Sequence, residues 1–233
     1  MSKPLPGMGD RHVAKAYIPA FVEFGGLRPD ETVLEPGCGT GRIAVALAEY
    51  LSAEGSYDGF DVVSEAVDWC TANIAPEHPN FRFRHVDVRD PAYNPDGALD
   101  PSEFAFPYPD RSFDFVLLTS VFTHMLPEDV RHYLSEIRRV LRPDCRCLMT
   151  FFLLNDHARE AIREGRTHRR FEHQGEGYSY DIEKVHEGAV AYEDVDVLAY
   201  LREVGFELHV PITYGRWAGR PAQPFGQDIV VVR

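Results

Sequence analysis

The sequence predicts an α/β fold in which a mostly parallel sheet carries helices on both faces. Short apolar runs, such as residues 32–34 and 112–120, alternate along the chain with segments of helical periodicity, such as residues 127–141. This alternation is typical of buried parallel strands joined by crossover helices. Two apolar segments near the end, residues 206–214 and 227–232, are separated by a connection short enough for an antiparallel hairpin. We therefore expect seven strands, the last of which form that hairpin.

The length and charge of the chain favour one domain that binds small molecules. At 233 residues the chain is long enough for a single α/β domain over residues 1–233, and two full domains would be cramped. The 24 basic and 37 acidic residues leave a net charge of −13, which argues against docking on nucleic acid or on an anionic membrane. We expect a small-molecule partner, no nucleic-acid or membrane partner, and a monomer or homodimer.

The start of the chain and its cysteines indicate the compartment. The first ten residues contain no apolar core of signal-peptide length, and the longest apolar run, residues 115–118, is too short to span a bilayer. The four cysteines include no C-x-x-C pair, so neither structural zinc nor a disulfide framework is expected. The sequence predicts a soluble cytoplasmic protein without a metal centre.

Residues 10–24 carry apolar side chains at helical intervals and end at a glycine pair, so we expect an N-terminal helical cap within residues 1–26. Pro19 would kink this helix or mark its restart. Two interpretations stay open: the helix covers the sheet, or it carries Tyr17 over a ligand as a lid.

Residues 33–47 change from a strand pattern to helical periodicity, and Gly37, Gly39 and Gly41 lie at the change. Glycine tolerates positive φ and lets the backbone approach a ligand, while free N–H groups at a helix start can meet its polar atoms. The dinucleotide pattern G-x-G-x-x-G does not fit, because the third glycine falls one position early and Arg42 replaces the last glycine. The loop therefore indicates a different nucleotide-like ligand.

Residues 57–62 predict a second strand that ends in Asp61. This carboxylate follows Gly41 by about 20 residues, the distance at which an acidic residue can accept hydrogen bonds from ribose hydroxyls. A capping or turn aspartate is the alternative.

The middle of the chain predicts two more strands around a long loop. Residues 81–88 alternate apolar and polar side chains, whereas residues 91–110 have no period, and loops of this length are often functional. Residues 112–120 predict a strand buried on both faces. Its carboxyl end, with Thr119 and then His124, opens into the crevice where open α/β sheets bind ligands.

Residues 155–192 interrupt the alternating pattern, and we expect a lid or insertion there. Histidine and arginine crowd residues 157–173, with glutamates between them. Two interpretations stay open: a solvated helix stabilised by pairs of opposite charge, or a substrate lid that attracts an anionic acceptor.

Glu35, Gly37, Gly39 and Gly41, in the pattern E-x-G-x-G-x-G, resemble the first motif of the class I S-adenosylmethionine-dependent methyltransferases. The order of predicted strands and helices resembles this family over roughly residues 30–233. The resemblance implies a Rossmann-like sheet and S-adenosylmethionine as the cofactor.

In that family an acidic residue after the third strand contacts the adenine, and the apolar residue that follows packs on the ring. Asp87 and Val88 match these two positions, although a solvated charge cluster with Arg89 and Asp90 is the alternative. The candidate cofactor-binding residues are Glu35, Gly37, Cys38, Gly39, Gly41, Asp61, Val62, Asp87, Val88 and Thr119.

The resemblance implies transfer of a methyl group from a sulfonium to an acceptor atom, with oxygen or nitrogen of a metabolite, sugar or natural product expected. Because the donor is already activated, the protein has mainly to align the nucleophile, exclude water and help to remove a proton. His124 is the candidate catalytic base, because histidine titrates near neutrality, and a ring that only holds its loop is the alternative. The candidate substrate-binding residues are Tyr17, Tyr214, Arg216 and Trp217, of which the last three would otherwise only pin the hairpin turn.

Two other functions stay open at this point. A non-catalytic sensor that binds an adenosine ligand would keep the same fold. An NAD-dependent dehydrogenase is disfavoured by the glycine spacing. The basic segment at residues 157–173 and the aromatic turn near Tyr214 suggest an anionic or sugar-like acceptor.

Overall fold

The structure is a computed structural model and describes residues 17–220 and 225–233. The part of the expected N-terminal cap before Tyr17 lies outside the described residues. The helices are α1 (Ile18–Glu23), α2 (Arg42–Tyr50), α3 (Ser64–Asn73), α4 (Pro127–Val140), α5 (Asp156–Arg163) and α6 (Asp194–Glu203). The strands are β1 (Thr32–Pro36), β2 (Ser56–Asp61), β3 (Phe81–His85), β4 (Phe113–Leu118), β5 (Leu141–Phe151), β6 (Leu153–Leu154), β7 (His173–Gly175), β8 (Tyr178–Tyr180), β9 (Val190–Glu193) and β10 (Asp228–Val232). Short 3₁₀ turns occupy Phe122–His124, His186–Gly188 and Arg216–Ala218.

The main sheet has the strand order β10-β5-β4-β1-β2-β3. Its neighbours run parallel, except that β10 runs antiparallel to β5. Strand β1 pairs with β2 on one side and with β4 on the other, so the chain order reverses between β1 and β4. Ligands of open α/β sheets bind outside the carboxyl ends of the strands at such a point.

Successive side chains of the central strands pack on opposite faces of the sheet. Val33 and Phe115 belong to one core cluster, whereas Leu34 and Val116 belong to another, and all four are fully buried. Helix α2 contributes to the first cluster and helix α4 to the second. Because side chains alternate along a strand, a strand covered by helices on both faces must be apolar at nearly every position. The expected helices on both faces are confirmed.

The main sheet has six strands in the described part of the chain rather than the expected seven, and the C-terminal hairpin is not formed as a pair of strands. Residues 206–214 meet β10 only through isolated bridges made by Leu208 and Thr213. Pro211 lies between these bridges and has no N–H group to donate, so it interrupts the ladder at this edge.

Residues 155–192 fold against the end of the main sheet. Helix α5 ends at Arg163, and β6, β9, β8 and β7 then form a small sheet in that order. A separate buried cluster that includes Phe152, Phe171 and Trp217 joins this segment to the loop before β10. Only the first part of the segment is thus helical, and Arg159 of α5 pairs with Glu193 of β9 rather than with a charge on its own helix. No helix among the described residues has the length and apolarity needed to cross a membrane.

Candidate functional site

A cavity of about 850 Å³ opens at the carboxyl ends of β1, β2 and β4. This volume lies within the range of small-molecule sites. We call it the first cavity. Its wall consists of the loop after β1, the end of β2, the loop after β3 and the segment after β4. The reversal of strand order thus lies beside this cavity.

The glycine loop reaches this wall with Gly37, Cys38 and Gly39. Gly37 has φ of +74°, and a Cβ there would lie 2.6 Å from Cγ2 of Val121, so the position requires glycine. The N–H groups of Gly37 and Cys38 donate to the carbonyl of Phe60, and that of Gly39 donates to Asp61. These three hydrogen bonds fasten the loop after β1 to the end of β2, so the N–H groups of Gly37, Cys38 and Gly39 are already paired.

Gly41 does not line the first cavity. Its φ is +72°, and a Cβ would lie 2.5 Å from Cδ1 of Ile74 and 2.8 Å from Sγ of Cys70. The third glycine of the motif lets α2 pack closely on α3.

Asp61 ends β2 at the cavity wall. Its Oδ2 accepts the Gly39 N–H at 2.7 Å, and its Oδ1 accepts the Val63 N–H at 2.9 Å. Burial raises the pKa of Asp61 above its usual value, although these backbone donors lower it in part. A carboxylate oxygen has two lone pairs, so each oxygen retains one acceptor site after these bonds. Val62, the neighbouring candidate, also lines the cavity.

Glu35 lies at the base of the first cavity and is 1% exposed. The hydroxyl of Tyr57 donates to its Oε2 at 2.5 Å. Burial raises the pKa of Glu35 from its usual 4.5 to about 8, more than the Tyr57 hydrogen bond lowers it. Glu35 is therefore mainly neutral at pH 7, and its contact with Tyr57 joins β1 to β2.

The structure separates the two adenine candidates. Val88 is 1% exposed and lines the first cavity, whereas Asp87 is exposed and lies outside its wall. Asp87 accepts a hydrogen bond from the Asn94 side chain at 3.1 Å. Asp90 lines the wall instead.

Thr119 and His124 both line the first cavity beyond β4. Nδ1 of His124 lies 2.8 Å from the backbone oxygen of Glu187, and its ring meets the Tyr93 ring edge-on at 6.0 Å. A carbonyl oxygen only accepts, so Nδ1 carries the proton. In a neutral His124 the other nitrogen, Nε2, consequently has a free lone pair.

The wall of the first cavity is rich in carboxylates. Burial raises the pKa of Asp129 to about 6. Of the two arginines on the wall, Arg89 pairs with Asp100 at 2.8 Å, so its charge is largely compensated. The acidic members besides Glu35 are Asp61, Asp90, Asp100, Glu128, Asp129 and Glu187. This wall favours a ligand with a positive charge.

The four substrate candidates lie away from the first cavity. The Tyr17 ring lies 5.9 Å from the guanidinium of Arg42, a wall residue, but does not itself line the cavity. The Tyr214 hydroxyl donates to Asp194 at 3.0 Å. Arg216 and Trp217 line a different cavity of about 830 Å³, hereafter the second cavity.

Sequence reasoning missed much of the first cavity. The irregular composition of residues 91–110 indicated that this loop could be functional, and its position after β3 was a usable signal. Glu187 gave no such signal, because only the folding of the β8–β9 connection brings it to His124. The wall residues that were not singled out include Arg42, Pro91, Tyr93, Pro101, Ser102, Ser120, Val121, Met125, Leu126, Glu128, Asp129 and Tyr133. Within residues 17–220 and 225–233, no group of three or more His, Cys, Asp and Glu side chains is placed to hold a metal ion.

A family model described as a methyltransferase domain matches residues 33–144, which include the glycine loop, β2, β3 and β4. Among curated proteins, the chain is similar to the tRNA N(3)-cytidine methyltransferase METTL2 of Danio rerio, with 27% identity over 149 residues, 64% of this chain and 39% of that protein. It is also similar to the 2-phytyl-1,4-naphtoquinone methyltransferase of Trichormus variabilis, with 23% identity over 56% of this chain and 51% of that protein. The chain thus spans about half or less of the length of these relatives.

A solved structure shares the fold. The 1,6-didemethyltoxoflavin-N1-methyltransferase of Burkholderia thailandensis, crystallised with S-adenosylhomocysteine, aligns with a TM-score of 0.56 and 19% identity over 97% of this chain and 79% of that one. The α/β methyltransferase fold is therefore confirmed. The methyltransferase-domain match over residues 33–144, together with this fold, indicates a methyltransferase that uses S-adenosylmethionine as its cofactor.

Proposed function

We propose that the protein transfers the methyl group of S-adenosylmethionine to an oxygen or nitrogen atom of a small-molecule acceptor. The observation that supports this most is that the glycine loop, Asp61 and His124 lie on the wall of one cavity. S-adenosylmethionine supplies an activated methyl group when bound. The chain has then to hold the acceptor, exclude water and take up a proton.

The first cavity fits this cofactor. Asp61 keeps one acceptor site on each oxygen for ribose hydroxyls, and the buried side chain of Val88 offers an apolar contact for adenine. The excess of carboxylates on the wall suits the positive charge of a sulfonium. Gly37, Cys38 and Gly39 bring the backbone to the ligand. Val62 and Thr119 complete the proposed contacts, whereas Glu35, Gly41 and Asp87 act through the packing of the loops.

We assign the role of general base to His124. Its Nδ1–H is fixed on the Glu187 carbonyl, so Nε2 is the nitrogen that can accept the proton of an acceptor hydroxyl or amine. The wall also carries apolar side chains close in sequence, Met125 and Leu126, that help to exclude water. This arrangement provides a proton acceptor beside a partly apolar space.

Two measurements test this function. Calorimetric titration with S-adenosylmethionine, S-adenosylhomocysteine and NAD tests the cofactor, and transfer of a labelled methyl group to a panel of small phenols, alcohols and amines tests the reaction. We expect both sulfur compounds to bind, NAD not to bind, and at least one acceptor to be methylated. Binding of NAD alone would support the dehydrogenase, and binding of both sulfur compounds without transfer to any acceptor would support the sensor.

An RNA acceptor is the second candidate, because one relative is named as a tRNA methyltransferase. The net charge of −13 and the acidic wall of the first cavity favour a small acceptor over a polyanion. A parallel assay with unfractionated tRNA separates the two. Methylation of tRNA without methylation of any small compound would establish the RNA acceptor.

We also propose one domain with residues 155–192 as an insertion, a cytoplasmic location and a monomeric or homodimeric state. All four cysteines are free, and three of them are buried, which is usual in a reducing compartment. Light scattering after size exclusion measures the oligomeric state, and limited proteolysis tests whether residues 155–192 remain attached to the folded core.

A further inference from the structure

The second cavity differs from the first in charge. The described residues that line it include Arg166, His168, Arg169 and Arg216, and none of them is acidic. The whole protein carries a net charge of −13, so a concave surface of this composition is unusual for the chain. A basic cavity in an acidic protein favours an anionic ligand.

The basic side chains are compensated to different extents. Arg166 pairs with Glu164 at 2.5 Å, and Arg169 lies 3.3 Å from Asp181. Asp181 also accepts hydrogen bonds from the backbone N–H groups of Arg170 and Phe171, so its negative charge compensates Arg169 only in part.

Arg216 carries the least compensated charge of the cavity. Its side chain is exposed, and within residues 17–220 and 225–233 no carboxylate oxygen lies within 4.0 Å of its guanidinium. It is therefore the strongest candidate for direct contact with an anion.

The floor of the second cavity is aromatic. The rings of Phe152 and Trp217 pack edge-to-face at 5.4 Å. The indole N–H of Trp217 donates to Asp228 at 2.7 Å, so the ring presents only apolar surface to a ligand. This floor suits a flat apolar body that carries a negative group.

The two cavities adjoin at one side chain. Gln227 lines the second cavity, and its Oε1 accepts hydrogen bonds from Ser120 at 3.0 Å and Thr150 at 2.7 Å. Ser120 lines the first cavity. A ligand in the second cavity is thus separated from the first by the Gln227 amide.

We propose that the second cavity binds the carboxylate or phosphate of an aromatic methyl acceptor, with Arg216 as the principal electrostatic contact. This inference rests on the proposed function, because it names the acceptor class of the same reaction. The body of the acceptor packs on Phe152 and Trp217, and transfer requires the Gln227 side chain, which lies between the acceptor and Ser120 of the first cavity, to move aside. An RNA chain is a poorer fit, because four basic groups around one concavity do not form the extended basic face that a phosphate backbone requires.

The test uses 4-hydroxybenzoate, 4-hydroxyphenyl phosphate and the uncharged 4-hydroxybenzamide as probes. Each is titrated by calorimetry into the full chain saturated with S-adenosylhomocysteine. We expect the two anions to bind about 10- to 100-fold more tightly than the amide, as a charge-assisted hydrogen bond predicts. The Arg216→Met variant should bind the two anions about 10- to 100-fold more weakly than the parent protein does, and its affinity for the amide should be unchanged.

Arg170→Met is the matched control. Arg170 lies in the same basic segment, forms an exposed pair with Glu172 and does not line the second cavity. Its replacement should leave the affinity for the anions unchanged, because exposed pairs contribute little. Equal binding of all three probes, no binding of either anion, or an unchanged affinity in Arg216→Met would overturn the inference.

The titration with S-adenosylhomocysteine separates this inference from the proposed function. Binding of that compound without binding of the anions would refute the anion site and leave the proposed function standing. Binding of the anions without binding of that compound would refute the proposed function alone. Binding of unfractionated tRNA that Arg216→Met abolishes, with no binding of the small anions, would replace the small acceptor by RNA.

Discussion

Nδ1 of His124 lies 2.8 Å from the backbone oxygen of Glu187, although the two residues are 63 positions apart in the chain. This contact joins the 3₁₀ turn after β4 to the 3₁₀ turn before β9. The 155–192 segment thereby orients the side chain that we assign as the base. The tautomer of His124 depends on this segment being folded in place.

Replacing His124 by Asn should lower kcat by about 10²- to 10⁴-fold, because the variant lacks a proton acceptor at Nε2. The asparagine amide can still donate to the Glu187 carbonyl, so the loop and the affinity for S-adenosylhomocysteine should be preserved. Steady-state kinetics and calorimetry measure the two quantities. His132→Gln is the control, because His132 bonds to the Phe104 carbonyl away from the first cavity. An unchanged kcat in His124→Asn would refute the role of base.

Replacing Asp61 by Ala should weaken binding of S-adenosylhomocysteine by about 1–3 kcal/mol, because ribose hydroxyls and the Gly39 N–H lose their acceptor. Calorimetry measures the loss. The control is Asp68→Ala, which removes an exposed carboxylate on α3. If Asp61→Ala bound as tightly as the parent protein, the ribose contact would be wrong.

Replacing Glu35 by Gln should flatten the pH dependence of stability. Burial raises the pKa of Glu35 from 4.5 to about 8, so between these values the folded chain holds a proton that the unfolded chain has released. The free energy of unfolding therefore falls as pH rises through this window and levels off above it. Because Gln does not ionise and can still accept from Tyr57, the variant should gain in Tm relative to the parent at pH 8 and not at pH 4.5.

Thermal unfolding of both proteins at several pH values between 4.5 and 8 measures this difference. Burial also raises the pKa of Asp228 to about 6. Its ionisation lowers the free energy of unfolding equally in both proteins as pH rises, so this effect cancels in the comparison. A constant difference in Tm across the series would contradict the assignment of the slope to Glu35.

Replacing Gly41 by Ala should destabilise the fold by about 2–5 kcal/mol, because the new Cβ adds a clash with Ile74 and Cys70 to the strain of a positive φ. Gly165→Ala is a matched control, since Gly165 has φ of +67° with no atom within 4 Å of an added Cβ. The free energy of unfolding of this control variant should fall by only about 1–2 kcal/mol, because its backbone is strained without a clash. Denaturant unfolding measures both, and equal losses would show that close packing at Gly41 contributes nothing.

The sequence by itself was sufficient to predict the fold class. Apolar runs at residues 32–34 and 112–120 predicted buried strands, and these became β1 and β4 at the centre of the sheet. Gly37 and Gly39 after β1 and Asp61 at the end of β2 line one cavity wall, whereas Gly41 does not. These features follow from local periodicity and from short connections, which sequence patterns record directly.

Only the tertiary structure decided which side chains share a cavity. Asp87 and Val88 are adjacent in sequence, yet one is exposed and the other lines the first cavity, because the chain turns after β3. Gln227 meets Ser120 across 107 positions. Arg216 lines the second cavity rather than the first, although the hairpin turn in which it lies was expected to contact the acceptor. Such contacts depend on the packing of distant elements, which no local pattern in the sequence specifies.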